Sequence, residues 1–287
     1  MQVAAIVPRH EFPTVNAARG VEVLSEGAKE EIADLEESPD FDSALDAALT
    51  EAQARCVLDP TANELETWEA YVVAMQIGSA MFASATATED RVQCRVAHEM
   101  RTIPATGVRY YTDAGNWITS FWLAIICREQ ARMTQLCNVP ISLLRESDAV
   151  FDEYIYSWVD ALQTYWLERP GLGDKLVAAM EGTDPEALQV ADRELVLKIL
   201  YPPINLFYRF LRQDHEQFNA ELAKALQWHK EYWTKDEERA TSTEGLVALG
   251  PLAIASLAYD AGFPIEVESE YLPKHLLRRS WLGEFDT

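Results

Sequence analysis

Two His-Glu pairs, His98-Glu99 and His215-Glu216, are the stretches of this chain closest to a metal chemistry. A helical zinc site of that kind needs a second histidine four residues after the first, so that both imidazoles leave one face. Thr102 and Asn219 stand there instead. A carboxylate-bridged di-iron bundle needs a glutamate three residues before its histidine. Arg95, Arg212, Leu226 and Leu272 occupy those places before His98, His215, His229 and His275. Gly171-Leu172-Gly173 lacks the third glycine of a dinucleotide loop and follows a helical pattern rather than a strand, so it reads as a turn. Neither GxSxG nor a P-loop sequence occurs. The cysteines Cys56, Cys94, Cys127 and Cys137 form no CxxC pair, and thiols in helical patterns pack as small apolar groups. So few in a long chain do not make a disulfide framework. Trp117, Trp122, Trp158, Trp166, Trp228 and Trp233 suggest a ligand cage, but aromatic residues at helical spacing are core in the first instance. Lys274, Arg278 and Arg279 suggest an anion site, yet a short basic helix end more often contacts the acidic surface of its own fold. The residues therefore predict no metal, no cofactor and no enzymatic centre.

Charge is more informative. The 287 residues carry 47 acids against 24 bases, a formal net charge of −23. Such a chain repels phosphate backbones and anionic lipid, which argues against nucleic-acid and membrane partners and favours a basic protein. From Glu11 to Ala70, sixteen acids face only Arg19, Lys29 and Arg55. The run Glu26, Glu30, Asp34, Glu37, Asp40, Asp42 and Asp46 reads either as a solvated face or as a docking surface for a basic partner. A concave face or the tail around Glu266, Glu268, Glu270 and Tyr271 is the alternative partner surface. The N-terminus lacks the basic start and long apolar core of a signal peptide, so the cytoplasm is the expected location.

The elements that must position these residues are helices. Asn116 to Leu136 is the central stretch, with Trp117, Phe121, Ala124, Ile125 and Arg128 at helical spacing and an apolar face wide enough to be buried on most sides. Two acidic helices over 14–58 precede it, the second capped by Ser38 with Pro39 in its first turn. A third runs from about Asn63 to Ala83. Val92, Cys94 and Val96 alternate with polar residues, which predicts an extended piece or hairpin within 91–106. Helices follow at 151–168 and 172–180. Thr183-Asp184-Pro185-Glu186 looks like the start of a helix to Leu200, which Tyr201-Pro202-Pro203 would break. Further helices are expected at 204–211, 218–233 and 245–259, a polar connector at 234–244, and a tail that is extended before a short helix after Pro273. Buried helices end in polar corners near 128, 169, 212 and 259, at intervals of 41, 43 and 47 residues. Intervals near forty with two helices per unit predict an all-α fold of antiparallel hairpins stacked in order, a tetratricopeptide-like α-solenoid forming a single domain over 1–287.

The arrangement resembles the immunity protein 49 family of bacterial polymorphic toxin systems. Asp113-Ala114-Gly115-Asn116-Trp117, Thr164-Tyr165-Trp166, Tyr201-Pro202-Pro203-Ile204-Asn205-Leu206-Phe207, Leu257-Ala258-Tyr259-Asp260-Ala261-Gly262 and Tyr271-Leu272-Pro273-Lys274-His275-Leu276-Leu277 carry the likeness. The resemblance implies a cytoplasmic, non-catalytic antitoxin that binds and blocks a cognate toxin domain. Several toxins beside such genes look like nucleases, and an acidic end would then sit where nucleic acid would have sat. A helical-repeat adaptor for another basic partner is the competing reading.

Overall fold

Apolar residues at three- and four-residue spacing turn most of the chain into helix. The computed structural model describes residues 5–287. A two-residue strand, β1 (Ala5–Ile6), precedes α1 (Ala17–Asp34), which buries Val21, Ala28 and Ile32 against α2 (Phe41–Leu58). The expected cap moves: Pro39 lies before α2, and Asp40 rather than Ser38 caps it, its carboxylate accepting the Ser43 N–H at 3.3 Å. A carboxylate suits that place because it also meets the positive end of the helix dipole. Asp59 ends α2 and organises the start of α3 (Leu65–Ala85). Its oxygens accept the N–H groups of Asn63 (2.9 Å) and Glu64 (2.8 Å) and the Thr67 hydroxyl (2.8 Å).

The alternation within 91–106 is a hairpin of β2 (Arg91–Val96) and β3 (Glu99–Pro104), antiparallel, with Val92 opposite Ile103. Ala97 and His98 turn it with positive φ, and the Ala97 N–H is held by Gln76 Oε1 at 2.9 Å. α4 (Ala114–Ile126) begins at an Asp113 cap, and every residue from Ser120 to Ile126 is buried. α5 (Gln130–Cys137), α6 (Ile141–Arg145), α7 (Tyr154–Trp166) and α8 (Leu172–Glu181) follow.

Two expectations fail in the next stretch. Residues 183–192 are turns, not helix, and α9 (Arg193–Leu195) begins only at an Asp192 cap. Tyr201-Pro202-Pro203 does not break the chain: α9 runs through a π-helical turn, Val196–Leu200, straight into α10 (Tyr201–Leu211). Two consecutive prolines remove the donors that the carbonyls of Lys198 and Ile199 would meet, so the turn widens and Tyr201 N–H reaches Val196 O, five residues back. α11 (His215–Trp233), α12 (Glu237–Ala240), a 3-10 turn at Thr243–Leu246 and α13 (Leu249–Asp260) complete the helical run. Thus α13 starts later than Gly245, with Pro251 in its first turn, where a missing N–H leaves no bond unmade. β4 (Val267–Glu268) and α14 (Lys274–Leu277) form the tail, and β4 pairs in parallel with β1.

The four polar corners share one geometry. Arg128, Glu168, Gln213 and Gly262 have φ of 60°, 52°, 56° and 89°. At each, that residue's N–H bonds the carbonyl three residues back and the next N–H bonds the carbonyl five before it, the Schellman arrangement. The packing order departs from a simple row. α13 packs against α4 as well as α10, so the last long helix returns to the first deeply buried one. Repeat units in a solenoid touch only their neighbours, whereas α4 here meets α3, α5, α7 and α13.

Candidate functional site

A cleft of about 820 Å³ opens where α2, α4, α7, the turn at 190–200, α11 and the start of α13 converge. α2 presents it with Asp42, Leu45, Asp46, Leu49, Thr50 and Gln53, a spacing that is one helical face. α4 adds Asn116, Ile118, Thr119 and Trp122, and α7 adds Ile155 and Trp158. α11 contributes Ala225, His229, Tyr232 and Trp233. The π-helical turn supplies Lys198, Ile199 and Leu200. Such turns recur at functional sites, and here the Pro202-Pro203 pair is its cause.

Local chemistry holds the walls. Asp152 is buried, and its carboxylate accepts the N–H groups of Gln189 (2.7 Å), Val190 (3.1 Å) and Ala191 (2.8 Å). Burial alone would raise this carboxyl, but the bonds from Ala191, Gln189 and Val190 outweigh it and hold it below its ordinary value. Those bonds take the backbone donors that a helix over 184–192 would use, which is why that segment stays a turn and sets Val190 and Ala191 at the cleft. Lys198 is held by Glu194 (3.3 Å) and Glu231 (3.2 Å). His229 is buried, and its Nε2 lies 3.0 Å from Gly245 O, so that nitrogen carries the proton and donates. Desolvation pushes its pKa down to about 4, keeping it neutral at pH 7.

The rim is acidic. Asp42, Asp46 and Glu244 line it, and desolvation followed by the Asp46 carboxylate raises Glu244 above its ordinary value. Two side-chain atoms of the lining have no partner among the described residues: the acceptor Gln53 Oε1 and the donor Trp233 Nε1. Val150 and Val190, 73% and 51% exposed, sit at the same cleft.

The acids singled out from sequence fall into separate places. Glu26, Glu30 and Asp34 are exposed along α1, in register with Glu22 at four-residue steps, and α1 contributes nothing to the cleft. Glu37 is exposed in the turn after α1, and Asp40 is occupied as the α2 cap. Asp42 accepts the Tyr110 hydroxyl at 3.2 Å, and it and Asp46 alone of the seven reach the cleft. In the tail, Glu268 and Glu270 are exposed, with Glu270 3.6 Å from Arg9. Glu266 is half-buried, and its N–H donates to Asn219 Oδ1 at 2.8 Å. Tyr271 is fully buried, its hydroxyl accepting the His10 N–H at 3.1 Å, so it has no surface to offer a partner. Sequence reasoning missed Gln53, Val150, Val190 and Glu244. The mixed polar and apolar stripe of α2 and the paired prolines were the available signals.

The refused motifs are occupied elsewhere. His98 Nε2 lies 2.6 Å from Glu69 Oε1, and the His215 ring packs 4.1 Å from that of Phe263. Among the described residues no group of three or more histidine, cysteine, aspartate or glutamate side chains is placed to hold a metal ion. No described helix is long and apolar enough to cross a membrane.

No curated protein and no solved structure matches the chain. The family model described as Immunity protein 49 matches residues 59–276, a span running from the α2–α3 corner into α14 and taking in the π-helical turn, the four corners and every wall of the cleft except α2. That match covers well over half of the 287 residues, and the chain belongs to the immunity protein 49 family.

Proposed function

We propose that this protein is a non-catalytic immunity protein that binds a cognate toxin domain in a stoichiometric complex and blocks it. Family membership over residues 59–276 is the observation that carries the reading. The charge pattern supports a basic toxin, with nucleases as the favoured class. The ridge Glu22, Glu26, Glu30 and Asp34 is exposed along one side of α1, and nucleic-acid-cleaving domains need a basic surface to hold their substrate. Carboxylates at such a ridge accelerate encounter more than they tighten the final complex.

Co-expression tests this. Toxin domains encoded in the source genome are each produced in a host with and without this protein. Growth restored in the presence of one of them, with a one-to-one complex on gel filtration, is the expected result. Toxicity unrelieved for all of them overturns the proposal. With the neutralised toxin in hand, charge reversal at Glu30, Asp34 and Glu37 slows association about tenfold and flattens its salt dependence. The melting temperature stays close to that of the parent, because exposed charges contribute little to stability. Unchanged association kinetics would make the ridge a solvated face only.

A further inference from the structure

We infer that the cleft is the docking site for an apolar segment of the toxin that carries a lysine or arginine, its cationic head set between Asp46 and Glu244. The inference rests on the reading of the chain as a toxin-binding protein and adds the place and the chemistry of contact.

Three independent features describe the occupant. The first is uncompensated charge. Neither Asp46 nor Glu244 is in an ion pair among the described residues, and Lys198, the base in the lining, is already held by Glu194 and Glu231. A partner cation is what would relieve two carboxylates facing one rim. The second is a matched pair of orphaned groups. Gln53 is 4% exposed, and among the described residues its Oε1 accepts no hydrogen bond and Trp233 Nε1 donates none. An unmet acceptor and an unmet donor in the lining of one cavity suit an occupant that carries hydrogen-bonding groups of both kinds, as a stretch of polypeptide does. The third is apolar surface. Val150 and Val190 stand exposed in the lining that also holds Leu45, Leu49 and Ile118, an apolar surface able to cover apolar side chains of an incoming segment. Cation, peptide group and apolar side chain together specify a stretch of protein rather than a small polar metabolite. The Asp152 carboxylate fixes one side of the mouth by holding 189–191, so the site is formed before the partner arrives.

The test uses the full chain and the toxin domain that it neutralises in co-expression. Two double variants alter exposed cleft positions, so folding is not at risk: Asp46→Lys with Glu244→Lys, and Val150→Asp with Val190→Asp. Each is expected to weaken toxin binding by a hundredfold or more in calorimetry, chiefly through faster dissociation. Melting temperatures should remain near that of the parent. The α1 reversal at Glu30, Asp34 and Glu37 is expected instead to change the association rate alone. In a third arm, p-benzoylphenylalanine in place of Thr50 is photolysed in the complex. The crosslinked toxin peptide is expected to contain apolar residues beside a lysine or arginine. Parental affinity in both double variants, or a crosslinked peptide without a base, overturns the inference while leaving the immunity reading intact. A wild-type chain that neutralises and binds no toxin overturns the immunity reading, and this inference falls with it.

Discussion

Trp117 shows what one side chain contributes at the centre of this fold. Its ring stacks on Phe121 with centroids 4.9 Å apart, and its Nε1 donates to Leu136 O at 2.8 Å. Trp117→Ala removes both and leaves a cavity among residues too constrained to collapse, so a loss of about 3–5 kcal/mol is expected in urea unfolding. An unchanged midpoint would place the ring outside the core. His229 makes a pH-dependent contribution. Its folded pKa is about 4, against an ordinary 6.5, because burial disfavours the imidazolium. The unfolded chain therefore binds the extra proton first as pH falls below 6.5. Stability from this group is complete above that value and is lost progressively down to about pH 4, by up to about 3 kcal/mol. His10 shifts in the same direction for the same first cause, desolvation. His229→Gln is expected to flatten the fall between pH 6.5 and 4, measured as the urea midpoint; a parental slope would show that other groups govern it.

Between elements, contact distance rather than residue class sets the constraint. α3 and α4 approach so closely that a Cβ at Gly78 would lie 2.5 Å from Ser120 Oγ and 3.3 Å from Ser120 Cα. The Ser120 hydroxyl is tied to Asn116 O at 2.7 Å and has little freedom to move. Gly78→Ala should therefore cost about 1–3 kcal/mol by overpacking, and Ser120→Gly in the same chain should recover part of it. Simple additivity of the two losses would show that the helices separate instead. The corners obey a different rule. Arg128, Glu168 and Gln213 adopt the left-handed conformation without being glycine, at a cost of about 1–2 kcal/mol each. The paired Schellman bonds at each corner offset it. At Arg128 the guanidinium adds bonds to the carbonyls of Ile126, Leu276 and Leu277 and to Asp260, tying two corners to the tail.

At the scale of the molecule, the net charge of −23 opposes compaction. Raising salt from about 10 mM to about 150 mM shortens the screening length from roughly 30 Å to roughly 8 Å, so the melting temperature should rise by several degrees. A fall would mean that attractive networks, such as Glu194 with Lys198, Lys235 and Arg239, outweigh the repulsion. The closed packing also acts at this scale. β1 pairs with β4, and α13 returns to α4, so segments far apart in the chain cover one core.

Helices, the 91–104 hairpin and the polar corners were legible in the residues because each depends on local periodicity or on a short hydrogen-bonded turn. The central helix was legible for the same reason: residues apolar on nearly every side of a helix cannot face water. Two local readings erred where a tertiary bond intervened or two signals combined. Asp152 draws the 189–191 backbone out of helix from 37 residues away, and Pro202-Pro203 widens the preceding turn rather than ending it. The acidic run was visible as charge, yet its division between the α1 ridge, one cap and the cleft rim depends on how α1 and α2 are rotated about their axes against their neighbours. That rotation is chosen by packing, which long-range contacts decide. The cleft is a product of the same contacts. Gln53 is far in the chain from Trp233 and Glu244, and only the packing of the 3-10 turn at Thr243–Leu246 against α2, with α13 against α4, brings them to one cavity.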